Sequence, residues 1–362
     1  MLNFYQPYRR AIQKAVAALA AYGIEPSAQQ QLANFLQERD SRWLYHANPR
    51  AIAQKLNLTE AATLQLLVIA LKQGIVTLNW EIQCPKCNGI DLSPKHLSDL
   101  GTQHTCPCCR HVHFTHADDE VRVTFSIDER WRKLPKNAND PAFRAEIDAR
   151  FGVVSGHRLL TTQTFRDLFP RETIPPNQSL LIRRVAILFT DLAGSTALYS
   201  RNGDAFAYSL VRQHFNLLFE IVDRHNGAVV KTIGDAIMAA FTVPADAFDA
   251  AIAMQKQMQV LNQQLNLVEP NQLILKVGID AGACISVTLN ERPDYFGMTV
   301  NTAARVQGLS KGNDIVVTDY VLADLKERGN FWEQNEVQLK GLAAPIRVYT
   351  LRLYGEKFSA IA

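Results

Sequence analysis

Apolar residues in the front of the chain recur at helical spacing. Ile12, Val16, Leu19 and Tyr22 predict a helix over 8–22, with Gly23 as its C-terminal cap. A second helix is expected from Ser27 to Arg39, with Ser27 as N-cap after Pro26. A short helix over 49–58 and a longer one over 59–74 follow, the latter opened by Thr59 and closed by Gly74. Residues 75–82 read as a strand, and so do 121–128 by alternation. The charged stretch after it, ERWRKLPKNANDPAFR, has two prolines and reads as an irregular connection. A helical patch over 161–169 leads into the proline-rich linker PRETIPPNQSL, which marks a domain boundary near residue 180.

From Arg183 onward the pattern alternates between buried strands and amphipathic helices. RRVAILFTD is a strand, and a long helix runs to a stop at Gly227. AVVKTIGDAIMAAF is a hairpin with Gly234-Asp235 at its turn. A helix from Pro244, strands around LILKVGIDAGACISVTL, a helix at TVNTAARVQGLS and closing strands complete an α+β layer arrangement. The divisions expected are 1–82 helical, 83–116 a cysteine knuckle, 117–182 a strand plus linker, 183–354 the α+β domain and 355–362 a tail. Helix, turn, helix and strand over 49–82 resemble a winged-helix module. Its second helix carries Lys72 as its one cation, and phosphate contact needs several. An adaptor or dimerisation role is therefore favoured over DNA.

With 362 residues, two or three domains are expected. A charged fraction of 20% and a net charge of +3 call for neither nucleic acid nor an anionic membrane. The most apolar window, 61–71, falls short of the roughly 20 residues a membrane span needs. MLNFYQPYRR lacks the form of a secretory signal, so a cytoplasmic location is expected.

Five of six cysteines fall between 84 and 109. Cys84, Cys87, Cys106 and Cys109 give C-x₂-C-x₁₈-C-x₂-C, the spacing of a zinc ribbon. Four thiolates close a tetrahedral Zn²⁺ site with no open position, so such a site is structural. Cys108 is surplus and competes with Cys109 as fourth ligand; His104, His111 and His113 are nearby substitutes.

Two apolar runs each deliver an aspartate, Asp191 and Asp235, where a buried strand meets solvent. Two such carboxylates brought together suit a hard divalent cation. Taken singly, Asp191 could be a helix N-cap and Asp235 a turn residue.

FTDLAGST, VVKTIGDAIMAAF, DYFGMTVNTAARV and QLKG, spread over 183–354, resemble the class III nucleotidyl cyclases. The cysteine-rich front resembles the N-terminal adaptor region of a bacterial subfamily. The resemblance implies a ferredoxin-like catalytic domain that converts ATP to 3′,5′-cyclic AMP and pyrophosphate. Asp191 and Asp235 match two metal aspartates, for two Mg²⁺ or Mn²⁺ ions per active site. Lys231 matches the base-reading lysine of adenylyl cyclases, and Asp294 matches the second base-reading position. Asn301 would orient the ribose, Arg305 would stabilise charge on the α-phosphate, and Lys340 would grip the β- and γ-phosphates. Asn301 and Arg305 stand at i and i+4 and share a helix face. The Ala193-Gly194-Ser195 turn offers backbone N–H groups to a triphosphate.

A homodimer is implied, with Asp294, Asn301 and Arg305 brought to the Lys231–Asp235 hairpin by a second copy. The front end would respond to an unidentified protein or ligand. The competing reading is a catalytically silent regulator that keeps the fold and binds nucleotide, DNA or protein.

Overall fold

The computed structural model describes residues 5–38, 40–325 and 333–353, so the tail over 355–362 lies outside the described residues. The chain divides into two compact units, Met1–Leu181 with Val287–Pro293, and Ile182–Ser286 with Asp294–Ala362. Among the described residues, no helix is long and apolar enough to cross a membrane.

The N-terminal unit begins with α1 (Tyr5–Ala17), which tightens into a 3₁₀ turn over Ala18–Tyr22 and stops at Gly23, φ 74°. In α2 (Pro26–Phe35) the proline takes the first turn, so Glu25 rather than Ser27 is the N-cap. In α3 (Pro49–Leu56) the Asn48 side chain accepts from Arg50 N and Ala51 N. Thr59 caps α4 (Glu60–Lys72) as its position implies, accepting from Ala62 N. Buried residues run unbroken from Leu66 to Ala70, so α4 is a core helix. Its Lys72 Nζ donates to the Leu168 carbonyl at 3.2 Å, so α4 has no basic face to lay along phosphates.

Next, β1 (Val76–Gln83) pairs antiparallel with β5 (Val121–Ile127), Trp80 opposite Val123, and with β2 (Ile90–Asp91) on its other side. The helices are followed by this hairpin, with the cysteine loop inserted between the paired strands. That loop carries its own two-stranded ribbon, β3 (Gln103–Thr105) and β4 (Val112–Phe114). Every residue of β5 is buried, so the alternation marks a core strand rather than a half-exposed one.

The stretch expected to be irregular contains a helix, α5 (Pro141–Phe151), with Pro141 at its first position and Asp140 accepting from Phe143 N. The proline starts this helix instead of preventing it. A buried ionic chain fastens α5 to the sheet. Glu81 pairs with His46 at 2.6 Å and Arg122 at 2.8 Å, and Arg122 pairs with Asp148 at 2.7 Å. Two short helices follow, α6 (Gly156–Leu160) and α7 (Gln163–Leu168).

In the C-terminal unit the strands are β6 (Leu180–Leu192), β7 (Gly227–Ile233), β8 (Ala236–Phe241), β9 (Leu275–Leu289), β10 (Arg292–Phe296), β11 (Asp314–Thr318), β12 (Glu333–Val337) and β13 (Ile346–Arg352). Its helices are α8 (Ser195–Asn202), α9 (Asp204–Arg224), α10 (Pro244–Gln264), α11 (Met298–Gln307) and α12 (Asp319–Leu322). The sheet order is β12-β13-β11-β9-β6-β8-β7, with β10 on β9. Its centre, β6-α9-β7-β8-α10-β9 in the order β9-β6-β8-β7, is the ferredoxin-like arrangement. The long helix is broken at Gly203, φ 78°. Gly227 is not a helix stop but the first residue of β7: a Cβ there would stand 2.3 Å from the Phe241 ring. The core lies between the sheet and α9–α10, from Leu188 and Ile237 through Val222, Met254 and Ile279.

Candidate active site

Asp191 sits at the end of β6, and Asp235 sits in the two-residue turn between β7 and β8, where Gly234 has φ 63°. Thr190 Oγ1 accepts from Ile237 N at 3.2 Å and fixes the end of β6 beside that hairpin. Burial pushes the Asp191 carboxyl above its ordinary range, and the Asp235 charge adds to the rise. Asp235 Oδ2 is buried without a hydrogen-bond partner. Two half-buried carboxylates that repel one another, one with an orphaned oxygen, are the donor set a hard cation neutralises. The residues present therefore fit Mg²⁺ or Mn²⁺.

Lys231 Nζ donates to Asp294 Oδ2 at 2.5 Å, and Asp294 Oδ1 accepts from Tyr295 N at 2.8 Å. The Lys231–Asp294 pair thus forms within one chain, which corrects the expectation that a second copy brings Asp294 to Lys231. A shift of strand register precedes Lys231. The β7–β8 register jumps from Val229↔Ala239 to Lys231↔Met238, with Val230 at the shift. Bulges re-aim the side chains that follow them. No hydrogen bond or ion pair among the described residues joins this pair to the two aspartates.

Asn301 is exposed on α11 and Arg305 is half-buried one turn later. The helix lies tight against β9 because Gly278 has no side chain: a Cβ there would stand 2.1 Å from Gln307 N. The Arg305 guanidinium packs on Gly341, whose added Cβ would lie 3.4 Å from Arg305 Nη2. Lys340, the residue before Gly341, is exposed.

The turn after Asp191 offers less than expected, because Ala193 N already donates to the Ile274 carbonyl at 2.9 Å. A cavity of about 250 Å³ opens beside it, lined by Gly194, Ser195, Arg201 and Pro270 among others. Lys276, inside β9, was missed by the motifs; its charge pulls the Asp191 carboxyl down against the two larger effects. A single lysine within an apolar strand gives no local signal of such a role.

Cys84, Cys87, Cys106 and Cys109 bring their four sulfurs within 4.8 Å of one another. Cys84 Sγ lies 3.7 Å from Cys109 Sγ, and Cys87 Sγ 3.6 Å from Cys106 Sγ. Zn–S bonds of about 2.3 Å in a tetrahedron require sulfur separations of about 3.8 Å, so the set fits Zn²⁺. Backbone N–H groups of Cys109 and Cys108 hold the Cys106 thiol down at about 6. The histidines are not needed: His104 lies 3.6 Å from Asp91, and His113 Nδ1 lies 3.1 Å from the Phe114 carbonyl.

Residues 178–353 match the family of adenylate and guanylate cyclase catalytic domains, and residues 11–148 match a family of unknown function, DUF5939. The chain is 25% identical over 180 residues to adenylate cyclase 1 of Rhizobium meliloti (strain 1021), covering 46% of this chain and 27% of that protein. It is 28% identical over 185 residues to the adenylate cyclase of Anabaena cylindrica, covering 47% of this chain and 37% of that protein. The chain thus spans well under half the length of these two relatives. Among solved structures, the adenylyl cyclase CyaB from P. aeruginosa aligns at 23% identity and a TM-score of 0.43, over 48% of this chain and 95% of that one. The guanylyl cyclase Cya2 aligns at 22% identity and a TM-score of 0.44, over 49% of this chain and 95% of that one. Residues 178–353 are thus a class III adenylate and guanylate cyclase catalytic domain.

Proposed function

We propose that the chain is an adenylate cyclase, converting ATP to 3′,5′-cyclic AMP and pyrophosphate as a homodimer under the control of its N-terminal unit. The observation that carries the choice of ATP is the 2.5 Å pair of Lys231 and Asp294. It sets a cationic donor beside an anionic acceptor. Adenine offers an acceptor at N1 and an amino donor at N6, whereas guanine reverses both. Lys231 Nζ donates to N1 and Asp294 accepts from N6, and guanine leaves both groups facing like partners.

Asn301 holds the ribose, Arg305 lies against the α-phosphate, and Lys340 takes the outer phosphates. Charged donors aimed at a phosphoryl centre are the main electrostatic contribution to such a reaction. Two Mg²⁺ or Mn²⁺ ions held by Asp191 and Asp235 would activate the 3′-hydroxyl and neutralise the departing pyrophosphate.

The dimer is proposed because no hydrogen bond or ion pair among the described residues joins the aspartates to the Lys231–Asp294 pair. In the proposed assembly the aspartates of one protomer face the base-reading pair, Asn301 and Arg305 of the other. Ile233, Phe296 and Met298 are 50%, 61% and 56% exposed on the elements that carry the site, and such apolar surface suits a partner. The cysteine cluster is proposed as a structural Zn²⁺ site, and the protein as cytoplasmic.

The test is an assay of the full chain with ATP and GTP in the presence of Mn²⁺, with the oligomeric state measured in the same buffer. Cyclic AMP in excess over cyclic GTP from a dimer is expected. A dimer that forms neither product overturns the enzyme reading, and a preference for GTP overturns the base assignment.

A further inference from the structure

The N-terminal unit contains a cavity of about 480 Å³ that the proposed chemistry leaves unused. Leu71 of α4, Leu78 of β1, and Phe165 and Phe169 at α7 form its apolar wall. The two phenyl rings stack, with centroids 5.4 Å apart and an interplanar angle of 24°. A cavity of a few hundred Å³ that sets an aromatic wall against placed polar groups is the form of a small-molecule site.

The polar groups are unevenly placed. Asn79 is buried, and its amide nitrogen contacts Thr124 and Ser126. Glu172 is engaged, accepting from Leu97 N at 2.6 Å with His96 Nδ1 at 3.7 Å. Lys95 lines the cavity, is exposed, and has no carboxylate partner among the described residues. The apolar wall therefore meets a cation that no carboxylate pairs with among the described residues, while the cavity's one carboxylate, Glu172, is bound to Leu97 N. That combination selects an aromatic body carrying a negative group.

The helix that forms the wall also reaches the catalytic chain. Arg166 stands beside Phe165 in α7, and its Nη2 donates to the Pro293 carbonyl at 2.7 Å. Thr288 Oγ1 donates to the Ile174 carbonyl at 2.6 Å, a few residues after α7. Residues 287–293 cluster with the N-terminal unit, and the next residue in the chain is Asp294. Whatever shifts α7 moves the peptide that precedes the base-reading carboxylate.

We propose that the cavity between α4, β1 and α7 binds a small aromatic carboxylate, and that Arg166 and Pro293 pass its occupancy to Asp294. The binding half stands on the cavity alone; the coupling half rests on the reading of Asp294 as a base-reading residue. A ligand shifts the rate only by preferring one position of α7 over another.

The test uses the full chain and 1-naphthoate as probe, with 1-naphthalenemethanol as its uncharged counterpart. Calorimetry is expected to show saturable binding of one naphthoate per chain. Lys95→Glu, an exposed change, is expected to weaken naphthoate about 10-fold while leaving the alcohol unaffected. Leu78→Trp, which fills the cavity, is expected to abolish both. No saturable binding by the parent chain, or equal binding by Lys95→Glu, overturns the site. For the coupling, hydrogen exchange of residues 287–297 is expected to change with naphthoate in the parent and not in Arg166→Ala, whose naphthoate affinity stays the same. Exchange in 287–297 indifferent to bound naphthoate overturns the coupling. Because binding and exchange are read without turnover, these results stand apart from the cyclase assay: an inactive chain that binds naphthoate and responds overturns the enzyme reading alone.

Discussion

Lys231 and Asp294 form an ion pair across 63 positions of sequence and within a single chain, with the carboxylate 9% and the lysine 38% exposed. The pair therefore exists before any partner arrives. Replacing one member alone leaves the other without its counter-charge. Lys231→Glu would set two carboxylates against one another, and it is expected to lower kcat/KM for ATP by about 10²-fold without creating GTP activity. The double change Lys231→Glu with Asp294→Ser supplies an acceptor for guanine N1–H and a donor for O6. It is expected to raise the GTP-to-ATP ratio of kcat/KM above that of either single variant. Paired steady-state measurements with both nucleotides check this.

Asp280 of β9 is buried, and burial pushes its carboxyl up to about 6, against a hydrogen bond from Thr318 Oγ1 at 2.5 Å. A folded-state value raised above 3.8 means that folding favours the protonated acid. Its contribution to stability is present below 3.8 and is lost as pH rises through about 6. The loss is about 3 kcal/mol at neutral pH, from a shift of roughly two units at 1.36 kcal/mol each. Asp280→Asn keeps an acceptor for Thr318 and removes the charge. Thermal melts are expected to show the variant gaining stability over the parent as pH rises from about 4 to about 7. A constant difference across that range would overturn the assignment.

The fold was legible wherever burial and local chemistry agree. VAILFTD and AIMAAF are apolar enough to be central strands, and Thr59 and Gly74 mark the ends of α4 in sequence as in space. Reading failed where one residue type serves two ends. Gly227 looks like a helix stop, yet it is a glycine because Phe241 occupies the space of its Cβ. Pro141 looks like a breaker, yet it fits the first turn of α5, where no N–H is needed. Motifs singled out the candidate site residues, but they did not show which of them the fold pairs. The register shift between Val229 and Lys231 is a backbone event that no side chain announces, and Lys231 beyond it pairs with Asp294. Lys276 and Arg166 meet neighbours that only the fold supplies.

The cysteine cluster discriminates between two adjacent thiols. Cys109 Sγ lies 3.7 Å from Cys84 Sγ, whereas Cys108 is exposed outside the group of four and packs toward Gly89. Cys108→Ser is expected to retain one zinc per chain by elemental analysis, and Cys109→Ser to lose it. A strong chelator should then increase hydrogen exchange over 84–114, since a closed thiolate site supplies folding energy to the loop that carries it. Equal metal content in both variants would remove the ligand assignment.

Gly278 tests how far the site depends on the seating of α11. A Cβ at this position would stand 2.1 Å from Gln307 N and 2.3 Å from Gln307 Cα, both backbone atoms that no side-chain rotation can clear. Gly278→Ala must therefore push the C-terminal end of α11 off the sheet. Overpacking of this kind costs about 1–3 kcal/mol of stability. Arg305 lies two residues before the contact and Asn301 one turn earlier, so both would be displaced together. A misplacement on the order of 1 Å lowers a rate by about 10²-fold. The Lys231–Asp294 pair belongs to β7 and β10 and does not touch Gly278. The expected signature is a large fall in kcat for ATP with KM changed much less. A fall in KM-dependent binding with kcat preserved would mean that α11 holds the substrate rather than the charge that develops on it.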